Sequence, residues 1–142
     1  MALDDFRFVR RFRVAYHDID MLQHANNAAY VVWLETVRCN YFDEVLGGSI
    51  TGANSMIVAR LEMNYEQPLG YREDVAIGCR VSRIGRKSFD VSFEIWSETR
   101  RQRAAYGLST MVAYSYESKT SITFPEPWGE IIEAYEFVAP AV

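Results

Sequence analysis

The sequence predicts an α+β domain in which a curved antiparallel sheet wraps around one long central helix. Three observations carry this. Segments that alternate apolar and polar residues dominate, and four follow one another with short turns between them, as in an antiparallel sheet. One helical segment is long and its first half is apolar on nearly every side, so it needs cover all round. The order is strand, long helix, four strands, short helix, and helices gathered on one antiparallel sheet make an α+β arrangement. The 142 residues contain no repeat, low-complexity tract or linker. A single domain over residues 1–142 is therefore expected, with roughly two-thirds of the unfolded surface buried.

The first strand is expected within FRFVRRFRVAY, residues 6–16. Phe6, Phe8, Phe12, Val14 and Tyr16 share one face, Arg7, Arg11 and Arg13 the other, and Arg10 breaks the pattern. Residues 28–46 read as the long helix, with Tyr30, Leu34, Val37, Tyr41 and Val45 at spacings of three and four. Asn26 or Asn27 supplies its N-cap and Gly47-Gly48 its stop. From Asn27 to Leu46 such a helix would span about 30 Å. In residues 56–66, Ile57, Ala59, Leu61, Met63 and Tyr65 alternate with Arg60, Glu62, Asn64 and Glu66. Pro68 and Gly70 mark a turn. Strands follow at 74–84, with Val75, Ile77, Cys79 and Val81 on one face, and at 88–97, with Phe89, Val91, Phe93 and Ile95. RIGRK, residues 83–87, is the turn between them. A longer strand covers 103–116, where Gly107 would allow a bulge. Pro125 and Pro127 precede a short helix at 128–136.

Composition narrows the function. Apolar residues at 49% and charged residues at 24% are ordinary for a globular chain. A formal net charge of −4 argues against general nucleic-acid binding, which needs a basic face. Cys39 and Cys79 form no CxxC pair, so neither a disulfide framework nor a zinc signature is visible. The N-terminus lacks the apolar core of a signal peptide, and no apolar run approaches the ~20 residues of a membrane helix. A soluble cytoplasmic protein without membrane insertion is expected. Nine Tyr within an aromatic content of 14% point to an interface and hence an oligomer.

The chemistry concentrates in YHDIDMLQHANN, residues 16–27, which holds both histidines, two aspartates and two asparagines. Asp18 and Asp20 fit turn residues that bond to nearby N–H groups, and Asn26 and Asn27 fit caps. The same cluster also fits an active site at a helix N-terminus. His17 is expected to be structural, and Cys39 a small buried hydrophobe. Two histidines with a lone carboxylate do not compose a metal site.

YHDIDMLQHANNAAYVVWLETVR resembles the opening motif of the hotdog-fold thioesterases, in the 4-hydroxybenzoyl-CoA thioesterase and YbgC-like branch. Asp18, Asp20, His24, Asn26, Asn27, Tyr30, Trp33, Glu35 and Arg38 occupy its positions. Residues 58–96 and 104–116 resemble the strands that follow, so the likeness covers most of the chain. It implies a sheet around one helix, homodimers joined edge to edge and often paired into homotetramers, and active sites at the dimer interface. It implies acyl-CoA substrates, with CoA entering as part of the substrate and no other cofactor or metal.

By this resemblance Asp20 is the catalytic carboxylate, acting as nucleophile or general base. The backbone N–H of Asn27, seven residues on, polarises the thioester carbonyl, because the first N–H groups of a helix lack internal partners. His24 orients water or Asp20. Tyr30 belongs to the pocket wall. Glu35, eight residues past Asn27, meets the far end of the acyl group and would favour a polar or hydroxylated chain; as a solvated residue it would instead pair with Arg38. Arg83, Arg86, Lys87 and Ser88 offer charge and donors to the CoA phosphates, or form a solvated turn. The alternatives are hydrolysis of an acyl-carrier-protein thioester and non-catalytic binding of the same ligands. A dehydratase would need an Asp-x-Asn-Pro-x-His motif, which is absent.

Overall fold

The computed structural model describes residues 2–142. Its strands are β1 (Phe8–Arg13), β2 (Ser55–Tyr65), β3 (Asp74–Ile84), β4 (Ser88–Ser97), β5 (Gln102–Ser115) and β6 (Thr120–Ser121). They form one antiparallel sheet in the order β1-β3-β4-β5-β2, with the short β6 on β5. Helix α1 (Asn27–Tyr41) crosses the inner face of the curled sheet, and α2 (Glu126–Tyr135) closes one end. This is the expected hotdog arrangement. No helix of the described residues is long and apolar enough to cross a membrane.

Period-two patterning sets the inner face. Phe89, Val91, Phe93 and Ile95 of β4 are buried against α1, while Ser88, Asp90, Ser92 and Glu94 are half-exposed. Each large apolar side chain buried in this way contributes about 1.5–3 kcal/mol. At the far end Trp128 and Ile132 of α2 are fully buried, and Trp128 stacks edge-on with Phe89 and Phe124.

Five details depart from the sequence pattern, each for a packing reason. The bulge expected at Gly107 is absent; a Cβ there would lie 1.9 Å from the Glu62 carbonyl oxygen, so the glycine serves close approach of β2. The register shifts fall instead at Val58/Arg60, Val81/Arg83 and Ile95/Trp96. The first inverts β2: Val58 faces inward opposite Met111, Leu61 faces inward opposite Ser109, and Ala59 takes the extra place. Phe6 precedes β1 and packs with Leu3 and Ala76 in a separate cluster, against Gly78, instead of sharing the face of Phe8.

The last departure is in the long helix, which is not enclosed. Tyr30, Trp33, Leu34, Val37, Arg38 and Tyr41 are buried, but Ala28, Val32, Glu35, Thr36 and Cys39 are exposed. Val32 is 62% exposed, so the apolar coat of this helix has cover on one side only within a single chain. Cys39, expected inside, lies outside; Cys79 is the buried cysteine. Past Tyr41 the chain continues through one wider π-type turn, Phe42–Leu46, before Gly47 adopts φ 50°.

One buried carboxyl ties the helix end to the sheet. Glu136, 8% exposed, accepts from Tyr41 Oη and from the Val81 N–H at 3.1 Å. Its Oε1 has no partner among the described residues. Burial pushes the Glu136 carboxyl above the usual carboxylate range. The fold therefore favours its protonated form, and the stability it lends is full below the ordinary range and lost as pH rises through the raised value. Asp90 works in the opposite sense, because the hydrogen bond from Arg83 holds it low; its contribution is lost as pH falls. As pH rises through and above the usual carboxylate range the wild-type melting temperature should fall relative to that of Glu136→Gln. Parallel melting curves across that window would remove Glu136 from the pH response.

Candidate active site

The loop between β1 and α1 is folded by its own backbone. Asp18 Oδ2 accepts the Ala15 N–H at 2.9 Å and closes a short 3-10 turn, the structural role expected of it. The Asp20 N–H donates to the His24 carbonyl at 3.1 Å, and the Gln23 N–H donates to the Asp20 carbonyl at 3.0 Å. Gln23 turns the chain at φ 65°. The Ala25 N–H then donates to the Leu69 carbonyl at 2.7 Å, which fastens the loop to the turn before β3. That turn is braced from within: the buried Glu73 carboxylate accepts from the Gly70 N–H and from Ser97 Oγ at 2.7 Å, and pairs with Arg100 at 3.2 Å.

Asn26, not Asn27, is the N-cap of α1. Its Oδ1 accepts the Ala28 N–H at 2.8 Å, and its Nδ2 donates to Asp20 Oδ2 at 3.4 Å. The other carboxylate oxygen of Asp20 accepts the Leu22 N–H at 2.8 Å. The Ala29 N–H reaches the Asn26 carbonyl at 2.8 Å. The Asn27 N–H, the first of the helix, has no acceptor among the described residues. It therefore carries the partial positive charge of a helix start unsatisfied.

A cavity of about 310 Å³ opens at this point, walled in part by Asp20, His24, Asn27, Tyr30 and Tyr65. The His24 imidazole is exposed and makes no hydrogen bond to the described residues. Tyr30 is buried, edge-on to Tyr65 at 5.1 Å, and burial pushes its hydroxyl up, so it stays a protonated donor. Tyr65 Oη donates to the Asn27 carbonyl at 3.1 Å. Glu66 closes the rim, ionised and held low by the Arg103 hydrogen bond at 2.6 Å. Asp20, Asn27 and His24 thus line one opening, a set of residue types suited to attack on a carbonyl.

The sequence pattern of the thioesterase-like superfamily matches residues 14–133. The chain belongs to that superfamily. It is a thioester hydrolase by that membership. Solved structures agree. A thioesterase from Thermus thermophilus, crystallised with coenzyme A and Zn, is 28% identical with a TM-score of 0.80, over 94% of this chain and 96% of that one. A thioesterase-superfamily protein from Jannaschia sp. CCS1 gives a TM-score of 0.85 at 21% identity, over 99% and 91%. The probable thioesterase YbaW from Escherichia coli gives 0.77 at 21%, over 92% and 99%. No curated protein sequence matches the chain.

Not every expected site residue of this thioesterase gathers at Asp20. Glu35 is exposed and lines a different cavity, under the second half of α1. The turn bearing Arg83, Arg86, Lys87 and Ser88 sits at the opposite end of β3 from the Asp20 loop, about 30 Å away along the strand. Arg83 is held by Asp90 at 2.7 Å and by Ser88 Oγ at 3.0 Å, and Lys87 donates to Ser121 Oγ at 3.4 Å. Only Arg86 of the four has a side chain without a partner among the described residues. Among the described residues no cluster of three or more His, Cys, Asp or Glu could hold a metal ion.

Two contributors escaped the sequence reading. Tyr65 looked like an ordinary strand position, and Glu73 like a charge before a strand. Asn26 was visible as a cap but not as the tether of Asp20. Asn26→Ala removes cap and tether together and should cost about 1 kcal/mol of stability by denaturant titration, while Asn26→Asp, which keeps a cap but faces Asp20 with a like charge, should fall between Asn26→Ala and wild type. Equal stability in wild type and Asn26→Ala would show that the amide contributes nothing to the fold.

Proposed function

We propose that this thioester hydrolase acts on acyl-CoA, releasing a carboxylic acid and free CoA. One observation carries the reading: Asp20, whose carboxylate is bound by Asn26, and Asn27, whose N–H has no acceptor among the described residues, line a common cavity. The thioester carbonyl oxygen accepts the Asn27 N–H, which stabilises the negative charge that develops on it; loss of such a donor costs about 3–4 kcal/mol of barrier. Asp20, held by Asn26 and Leu22, either attacks the carbonyl carbon or takes a proton from the attacking water. In both routes water adds to the acyl group, the carbon–sulfur bond breaks, and the thiolate leaves to be protonated. His24, exposed at the rim, is suited to orient that water. The Thermus relative bound to coenzyme A supports CoA as the carrier. Asp20→Asn should lower kcat for thiol release by about two orders of magnitude or more. Equal rates in the two proteins would return Asp20 to a purely structural place in the turn.

The working unit in this reading is a homodimer. β2 ends the sheet with an eleven-residue edge that pairs on one side only. Beside it Val58, Leu61, Tyr65 and Val32 are exposed. A long edge next to an apolar patch recruits another strand, and a two-fold axis lets β2 pair with itself. Such a pairing also supplies the missing cover for α1. Leu61→Asp should shift the light-scattering mass from two chains toward one. An unchanged mass in a folded variant would place the contact elsewhere.

A further inference from the structure

A second cavity, of about 330 Å³, lies between the later half of α1 and the start of β2. Phe42, Met56, Ile57, Val58 and Met111 supply its apolar side, and Glu35 and Arg38 its charged one. Arg38 also lines it, yet Arg38 is only 7% exposed. Its Nη1 donates to Ser109 Oγ at 3.0 Å, and among the described residues no carboxylate forms an ion pair with it. A guanidinium has five donors and carries its charge at every ordinary pH. One neutral hydroxyl does not balance a buried cation, and such a group without a counter-charge is costly. Glu35, three residues earlier, does not serve: it stands exposed at the rim, unpaired with Arg38, where water screens its charge.

Position completes the argument. Arg38 follows Asn27 by eleven residues on the same helix, about 16 Å along its axis. Between the two, the apolar side chains of Leu61 and Val58 in β2 face the helix side of the sheet. A thioester with its carbonyl at the Asn27 N–H can lay an extended acyl chain along these side chains and bring its far end to Arg38.

We propose that Arg38 anchors the distal carboxylate of the acyl chain, so that this enzyme prefers ω-carboxyacyl thioesters over simple fatty acyl thioesters of equal length. The proposal rests on the carbonyl site assigned above to Asn27. A carboxylate accepts two parallel N–H bonds from a guanidinium, a fit that an ammonium does not reproduce.

The test compares kcat/KM for dodecanedioyl-CoA and dodecanoyl-CoA in wild type, Arg38→Lys and Arg38→Met, with melting temperatures to verify folding. The wild type should favour the dicarboxylic substrate by about 30-fold or more, the scale of a desolvated charge pair. The ratio should collapse toward unity in Arg38→Met and stay intermediate in Arg38→Lys. A wild-type ratio near unity, or a ratio that survives in Arg38→Met, overturns the proposal. If Arg38→Met does not fold, calorimetry on Asp20→Asn reads the same pocket without turnover. Tighter binding of dodecanedioic acid monoamide than of dodecanamide supports the anchor, and equal binding overturns it. Carboxylate-selective binding with no hydrolysis of any CoA thioester would instead sink the acyl-CoA reading and leave the anchor standing.

Discussion

The primary amide of Asn26 is the interaction on which the site depends. Its oxygen holds the Ala28 N–H of α1 and its nitrogen holds Asp20. The bond to Ala28 starts the helix one residue before Asn27, which is why the Asn27 N–H stays free to meet a ligand. The bond to Asp20 sets a negative charge beside a positive helix end, where the macrodipole stabilises it. Capping and chemistry are therefore one geometry. An amide is the side chain that fits, because it must accept on one side and donate on the other. Aspartate in its place could cap, but would face Asp20 with a like charge.

Around that amide the loop needs little packing of its own. Met21 and Leu22 are exposed, and backbone bonds from residue 20 to residue 24 keep the turn closed. Rigidity arrives from outside through the Leu69 carbonyl and the buried Glu73 beneath it. This division suits an enzyme: a loop open to substrate, aimed by a turn that is not. It also explains why Glu73 is buried at all, since Gly70, Ser97 and Arg100 all bind its carboxyl and brace the turn.

Much of the fold was legible because period-two and helical patterns report burial directly. Phe89 to Ile95 and Tyr30 to Tyr41 read as they fold. What the pattern misjudged came from contacts that have no local signal. Ala59 sits in a bulge because β5 runs beside it, so Ile57 and Leu61 do not share a face. Gly107 looked like a bulge residue, but the Glu62 carbonyl is what excludes a side chain there. An apolar coat on α1 read as enclosure, although nothing in sequence says whether the cover comes from the same chain. At the site, Asp20, His24, Asn27 and Tyr30 line one cavity. Tyr65 and Glu73 could not be read, because their roles are bonds to backbone and side chains 24 to 38 residues away.

Three acidic or basic side chains are buried at 8% exposure or less, Glu73, Glu136 and Arg38, and each meets the cost of burial differently. Glu73 is fully partnered, so it serves as a brace. Glu136 has an oxygen without a partner and shifts toward its neutral form instead. Neutralisation is a route open to a carboxyl but closed to an arginine, whose proton is not released under ordinary conditions. Arg38 has neither a carboxylate partner nor that escape, and it opens onto a cavity of about 330 Å³. A folded chain tolerates such a cation where something outside the chain completes it. By this reasoning the two carboxyls belong to the architecture, and the arginine belongs to whatever enters the cavity beside α1.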